Sequence, residues 1–167
     1  IYMEKGGTVN GLHGSNTPYD PPEYYHYREG RMYNGLTVVA WNLSDAGPEH
    51  GGFCCVAGSH KANYRLPKEF REAHTDAECV VVPKAKAGSL VIFTEALTHG
   101  TAAWTADHER RSLLFKYSPA QQSWSPKHIQ PPEGVTLTPR QELLFEPPYF
   151  SSRKSLFSDE DASKADY

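Results

Sequence analysis

The sequence predicts an all-β domain of the sandwich or barrel type, and three observations carry that prediction. Aromatic residues make up 12% of the 167 residues, and the chain holds 13 glycines and 13 prolines. Short apolar runs rich in β-branched and aromatic residues are separated by these turn formers. Long amphipathic helices do not alternate with the runs, so a parallel α/β sheet is not expected. The length gives room for one domain with a sizeable core.

The first three apolar runs are expected to form strands. Residues 36–43 (LTVVAWNL) follow the turn signal Asn34-Gly35 and are nearly all apolar, as expected when both faces of a strand are covered. Residues 53–57 (FCCVA) form a second short strand after the glycine-rich turn 44–52, and residues 79–83 (CVVVP) form a third. Residues 1–35 are expected to be irregular, because glycine and proline interrupt them repeatedly.

The later part of the chain adds strands and a short helix. Residues 89–97 (SLVIFTEAL) and 110–117 (RRSLLFKY) are strong strand candidates, and 101–104 is a short one. One or two helical turns are expected around 67–70. The capping-box pattern of Thr138, Pro139 and Gln141 predicts a helix through about Phe145. The charged, serine-rich residues 151–167 are expected to form a flexible tail beyond a single domain over 1–150.

Composition excludes several classes of partner. The net charge of −3 gives no electrostatic case for nucleic acid or an anionic membrane. No apolar run approaches the ~20 residues of a transmembrane helix. Cys54, Cys55 and Cys79 show no pairing pattern, which favours free thiols in a reducing, cytoplasmic compartment. Neither a nucleic-acid nor a membrane partner is therefore expected, and the oligomeric state is left open. The chain starts inside a running segment, so the fold is expected to be N-terminally incomplete.

Two stretches together resemble the phytanoyl-CoA dioxygenase family. The first is residues 36–61, LTVVAWNLSDAGPEHGGFCCVAGSHK, and the second joins KAGSLVIFTEALTHGTAAW to ERRSLLFKYSP. His99-Gly100 followed eleven residues later by Arg110 belongs to the same pattern. The resemblance covers roughly residues 11–119. It implies a double-stranded β-helix (a cupin-like jelly roll), Fe(II), and 2-oxoglutarate as cosubstrate.

The resemblance makes His99 the distal metal ligand. Non-haem Fe(II) oxygenases hold iron with two histidines and one carboxylate on one face. The family's proximal His-x-Asp/Glu motif is missing upstream of residue 36, and His74-Thr75-Asp76 lies in the wrong topological place. We therefore predict His13 as the proximal ligand, with His26 as its competitor.

For the metal carboxylate the sequence favours Glu95. It lies four residues before His99 in one predicted strand, so both side chains are expected on one face. A charge inside an apolar strand is costly unless it is paired or bound to a metal. Asp20, Asp45 and Glu49, on loops, are alternatives.

The resemblance makes Arg110 the residue that binds the far carboxylate of 2-oxoglutarate. Arginine suits this role because its planar guanidinium binds a carboxylate through two hydrogen bonds. Ser112 lies on the same strand face as a possible helper, and Arg111 is the alternative to Arg110. Asn34 is a further candidate for the cosubstrate, although the Asn34-Gly35 turn also explains it.

The sequence thus predicts an Fe(II)- and 2-oxoglutarate-dependent dioxygenase that hydroxylates an aliphatic C–H of a small-molecule or acyl substrate. One alternative is a non-catalytic, cupin-like binding or structural protein. Another is a halogenase-like variant without a metal carboxylate, because His13-Gly14-Ser15 resembles a His-x-small motif. The remaining prominent residues have structural interpretations. Packing is expected for Trp41 and Trp104, and exposure to solvent for His50, His60, His108 and His128.

Overall fold

The computed structural model describes residues 1–7, 11–73 and 77–149, and it confirms the predicted jelly roll. The larger antiparallel sheet contains, in spatial order, β1 (Tyr2–Met3), β9 (Arg110–Tyr117), β4 (Thr37–Asn42) and β7 (Leu90–Thr94). The smaller sheet contains β6 (Val80–Val81), β5 (Gly52–Val56) and β8 (His99–Ala102). A bridge between His13 and His99 places the upstream chain at the free edge of β8. Consecutive strands β7, β8 and β9 therefore pass alternately between the two sheets, as in a double-stranded β-helix.

The two sheets are held together by a small apolar core. Val38, Ala40 and Phe93 of the larger sheet pack against Phe53 and Cys55 of the smaller one. The Phe53 and Phe93 ring centroids are 4.6 Å apart. Because these side chains alternate with outward-facing ones along their strands, they define the interior face of each sheet.

The predicted strand over 89–97 ends earlier than expected. The Leu97 amide donates to the Thr94 carbonyl at 2.9 Å, which closes a turn directly after β7. Glu95 consequently lies in the crossover between the sheets, and His99 begins β8. The expectation that Glu95 and His99 share one strand is wrong, although the turn still brings the two side chains together.

The expectation that residues 1–35 are irregular is also wrong. β2 (Tyr25–Arg28) and β3 (Arg31–Asn34) form a hairpin, and β1 pairs with the start of β9. The hairpin turn is Glu29-Gly30, with φ of 52° and 77°, as a two-residue type I′ turn requires. Most of the hairpin's side chains are exposed, so it carries no apolar alternation that the sequence could show.

Within residues 1–7, 11–73 and 77–149, elements cover only one face of the larger sheet, contrary to the expectation for its apolar strands. Val38 is fully buried on the interior side, whereas Ile92 on the opposite face is 62% exposed. Trp41, Leu113 and Phe115 are also exposed on that outer face. The apolar run 36–43 therefore packs with one side of its strand, and the other side remains at the surface.

The helices around 67–70 and after Thr138 fall where the sequence predicts them, and a 3-10 turn at 59–61 was not predicted. They are α1 (Lys68–Ala73), a 3-10 turn (Ser59–Lys61), and α2 (Pro139–Glu142), which continues as a 3-10 turn (Leu143–Phe145). The capping box between Thr138 and Gln141 is present in both directions. Among the described residues no helix is long and apolar enough to cross a membrane. The predicted tail, 151–167, and the motif at 74–76 lie outside the described residues.

Candidate metal and cosubstrate site

His13 and His99 lie side by side at the edge of the smaller sheet. Each donates its backbone N–H to the other's carbonyl at 2.8 Å, and the ring centroids are 4.3 Å apart. The approach depends on Gly14, whose φ is +78°. A Cβ at Gly14 would lie 2.6 Å from the carbonyl oxygens of both Glu95 and Leu97. Glycine is therefore required for the upstream segment to lie this close to the turn before β8.

The tautomers of both histidines follow from their hydrogen bonds. His99 Nδ1 is 2.6 Å from the Leu97 carbonyl oxygen, and His13 Nδ1 is 3.1 Å from that of Gly11. A carbonyl oxygen only accepts, so each Nδ1 carries the proton and each Nε2 keeps a free lone pair. Histidines that ligate metals are oriented in this way. Burial is the main reason that the pKa of His99 is lowered, which favours the neutral, ligating form.

Glu95 lies beside His99 but is bonded to a lysine. Its side chain is buried, with Oε1 2.6 Å from Lys116 Nζ and Oε2 3.9 Å from His99 Nε2. Two neighbouring ligands on one ion, each ~2.1 Å from it, lie about 3 Å apart. Sharing an ion with His99 would therefore require Glu95 Oε2 to approach Nε2 by about 1 Å, while Oε1 holds Lys116. Within the described residues, no three His, Cys, Asp or Glu side chains are already arranged to hold a metal.

Glu23 is a carboxylate near this site that sequence reasoning missed. Burial is the main reason that its pKa is raised, with Asp20 and Glu95 contributing, whereas His13 acts in the opposite direction. These influences place Glu23 in the neighbourhood of His13 and Glu95. Glu23 lies in a proline-rich stretch without any metal-ligand spacing, so the sequence does not indicate it as a candidate ligand.

Ser15 occupies the position where the family motif carries its carboxylate. The Ser15 hydroxyl donates to the Thr17 carbonyl at 2.9 Å and accepts from the Thr17 amide at 3.1 Å. The side chain is therefore engaged in a local turn of the kind serine often stabilises. It provides no carboxylate next to His13.

The Gly58-Ser59-His60-Lys61 motif supports the metal candidates indirectly. Ser59 Oγ accepts the Thr98 amide at 2.8 Å, and Thr98 Oγ1 donates to the Gly14 carbonyl at 3.2 Å. Thr98 thus joins the 3-10 turn of the motif to the segment that carries His13. These two hydrogen bonds fix the turn immediately before His99.

The other candidates from the sequence have partners elsewhere. His26 stacks on Tyr24, with centroids 5.6 Å apart, and is exposed on the hairpin. Asp45 accepts from Lys86 at 3.2 Å, and Glu49 is paired with Lys84 at 3.5 Å. Asp20 is exposed. The structure does not bring His26 to His99.

Arg110 is buried inside the sandwich, and Arg111 is at the surface. Arg110 is 4% exposed, and burial lowers its pKa. Its Nη1 is 3.3 Å from the sulfur of Met3, while its Nε has no hydrogen-bond partner. Arg111 instead binds Glu109 at 2.7 Å. A buried guanidinium without a carboxylate partner is costly, so this position fits an acidic ligand.

Two more buried donors without partners lie beside Arg110. Ser112 pairs in register with Asn42 across β9 and β4, and neither Ser112 Oγ nor Asn42 Nδ2 has a partner. Asn42 was missed by sequence reasoning, although its alternation with Val38 and Ala40 places it on the interior face. Ser112, Leu114 and Lys116 follow Arg110 at every second residue, so one strand face leads from Arg110 to Glu95.

Asn34 lies apart from these donors. Its amide nitrogen donates to Thr37 Oγ1 at 2.7 Å and to the Gly35 carbonyl at 3.2 Å. Thr37 is at the opposite end of β4 from Asn42, so the structure does not bring Asn34 to Arg110. Its contacts are those of the turn between β3 and β4.

Fold and site together define a jelly-roll protein with a two-histidine metal candidate and a separate, buried arginine that is a candidate for binding an acid. The chain belongs to the phytanoyl-CoA dioxygenase (PhyH) family, whose model matches residues 4–112. None of the curated proteins compared with the chain matches it.

Several solved structures resemble the chain. HygX from Streptomyces hygroscopicus, with nickel and 2-oxoglutarate bound, is 28% identical with a TM-score of 0.63, over 71% of this chain and 53% of HygX. HygX with nickel, 2-oxoglutarate and hygromycin B bound is 29% identical with a TM-score of 0.60, over the same shares of 71% and 53%. AviO1 from Streptomyces viridochromogenes, 20% identical with a TM-score of 0.52 over 75% of this chain and 51% of AviO1, supports the fold. The chain therefore spans about half the length of these proteins.

Proposed function

We propose that the chain is the core of an Fe(II)- and 2-oxoglutarate-dependent oxygenase that hydroxylates an aliphatic C–H of a small-molecule or acyl substrate. The observation that carries the proposal is the pairing of His13 with His99, each with a free Nε2. One face of β9 leads from the buried Arg110, whose Nε has no hydrogen-bond partner, to Glu95 beside this pair. HygX, which shares the fold and 28% of its residues, binds nickel and 2-oxoglutarate. The free cysteines fit a cytoplasmic location, which belongs to the same proposal.

The proposed metal ligands are His13, His99 and Glu95. Iron held there would supply, together with the oxo acid and dioxygen, the oxidising chemistry for hydroxylation. The Leu97 and Gly11 carbonyls hold the two imidazoles in the ligating tautomer, and Gly14 holds them together. Glu95 would supply the third ligand through Oε2, the oxygen that faces His99.

The proposed cosubstrate residues are Arg110, Ser112 and Asn42. The guanidinium would bind the far carboxylate of 2-oxoglutarate, with the hydroxyl and the amide donating alongside. A buried polar group left without a partner costs about 1–3 kcal/mol. Binding of the acid would relieve this cost for three groups at once, which gives the site its preference for a carboxylate.

A halogenase-like reaction is the second candidate, because Ser15 replaces the motif carboxylate and Glu95 is bonded to Lys116. In that case no side chain fills the third position, and a halide would take it. Glu95→Gln separates the two: it weakens metal binding if Glu95 is a ligand and leaves it unchanged if a halide binds there. Glu23→Gln tests the neighbouring carboxylate in the same way.

The test of the proposed function is an anaerobic titration with Fe(II) and 2-oxoglutarate, followed by the metal-to-ligand charge-transfer absorption. We expect the band in the parent protein and its loss in His99→Ala. His26→Ala is the matched control, since His26 is an exposed histidine on the hairpin, and it should leave the band intact. Absence of the band in the parent, or its persistence in His99→Ala, would favour a non-catalytic, cupin-like protein.

A further inference from the structure

We propose that the cavity between β9 and residues 118–149 is the substrate pocket, and that it takes a neutral, aliphatic small molecule. Its role in catalysis rests on the proposed function, whereas its binding of such a molecule does not. The cavity has a volume of about 730 Å³. That size is typical of pockets that enclose a small organic ligand.

Two residues that line this cavity contact Glu95, although Glu95 and the two histidines do not line it themselves. Leu36 lines the cavity, and its carbonyl accepts the Glu95 amide at 3.0 Å. Lys116 also lines it and holds the Glu95 carboxylate at 2.6 Å. Glu95 in turn lies 3.9 Å from His99. Leu36 and Lys116 therefore connect the cavity wall to Glu95, and Glu95 connects them to His99.

The outer wall of the cavity lies in a part of the chain that the family model does not match. Residues 118–149 form it, and the family match ends at residue 112. The wall is held in place locally, for example by the Tyr149 amide, which donates to the Ala120 carbonyl at 3.1 Å. Substrate preference would consequently be set by a segment that the family model does not include.

Several polar groups lining the cavity are already bonded to the protein. Ser118 Oγ donates to the Gln122 carbonyl at 2.8 Å, and His128 Nε2 lies 2.6 Å from the Phe145 carbonyl. The charge of Lys116 is compensated by Glu95. Groups that already have partners in the protein gain less from a ligand rich in hydroxyls or amines than groups without partners would.

The cavity offers a ligand mainly apolar surface. Leu114, Ile129 and Leu144 line it without polar groups. Trp124, which is 60% exposed, adds its ring, and the Lys116 ammonium lies 5.0 Å from the ring centroid. Lys127 is exposed at the rim, where water screens its charge. Apolar contact is therefore the main source of affinity, and it favours an aliphatic ligand over a sugar.

The first test uses metal-free protein and two probes, 1-octanol and hygromycin B. The indole N–H signals of the three tryptophans are followed by nuclear magnetic resonance. We expect octanol to shift the Trp124 signal and leave Trp41, on the outer sheet face, in place. Leu144→Gln should weaken octanol binding at least tenfold. Ile92→Gln should not, because Ile92 is similar to Leu144 in size and exposure but lies outside the cavity. The proposal would be overturned if octanol left the Trp124 signal unchanged or shifted the Trp41 signal equally. It would also be overturned if hygromycin B bound in preference to octanol.

The second test asks whether the cavity leads to the metal centre. Mn(II) is added to the octanol complex, and paramagnetic broadening of the octanol resonances is measured. We expect strong broadening in the parent and none above background in His99→Ala. If Mn(II) binds the parent but octanol is not broadened, the cavity is not the substrate pocket. If Mn(II) does not bind at all, the proposed function fails. The metal-free titration alone then decides whether the cavity binds an aliphatic ligand.

Discussion

Replacing Gly14 with alanine should damage both the fold and the metal site. The φ of +78° costs a residue with a side chain about 1–2 kcal/mol. The added Cβ would also lie 2.6 Å from two carbonyl oxygens and 3.2 Å from His99 Nδ1. Overpacking of this kind costs about 1–3 kcal/mol. We therefore expect a total loss of about 2–5 kcal/mol in the free energy of unfolding.

Gly30→Ala is the matched control for this substitution. Gly30 has nearly the same φ, +77°, but a Cβ there would meet nothing within 4 Å. It should lose only the backbone contribution of about 1–2 kcal/mol. The difference between the two variants isolates the contact between the His13 segment and the turn before His99.

Urea unfolding measures the stability of both variants, and titration with Co(II), followed by visible absorption, measures their metal binding. We expect Gly14→Ala to bind Co(II) at least tenfold more weakly than Gly30→Ala, because relief of the clash moves His13 away from His99. Equal unfolding midpoints and equal Co(II) affinities in the two variants would refute the argument that Gly14 assembles the site.

Three further predictions concern charged groups of the site. Arg110→Lys should weaken 2-oxoglutarate binding roughly 10- to 150-fold by calorimetry, since a charged hydrogen bond contributes about 1.5–3 kcal/mol, while Arg111→Lys should leave it unchanged. Lys116→Met should destabilise the metal-free protein by about 1–3 kcal/mol, because Glu95 loses its partner. The same substitution should tighten Co(II) binding, and an unchanged Co(II) affinity would exclude Glu95 as a ligand. The lowered pKa of His99 means that the folded state binds fewer protons than the unfolded state, so stability should fall as the pH drops below about 6.5. Urea midpoints at pH 5.5 and 7.5 check this, and a smaller pH dependence is expected for His99→Gln.

Part of this structure can be predicted from the sequence alone, because it depends only on local backbone geometry. Alternation along a strand places Arg110 and Ser112 on one face and Arg111 on the other, whatever the rest of the chain does. The capping pattern at Thr138 specifies a helix start because its hydrogen bonds join residues three apart. The apolar runs likewise predicted the sandwich, since each strand needs a partner sheet to bury its interior side chains.

The tertiary structure alone decided the features that depend on contacts between distant segments. Lys116 meets Glu95, and Asn42 meets Ser112, only after β9 has paired with β4. The turn at Thr94 and Leu97, which takes Glu95 out of its predicted strand, arises where the chain crosses between sheets. The exposure of Ile92 reflects which elements pack on the larger sheet, and no local pattern encodes this. Such contacts depend on topology, and residue spacing along one segment carries no information about the segment it will meet.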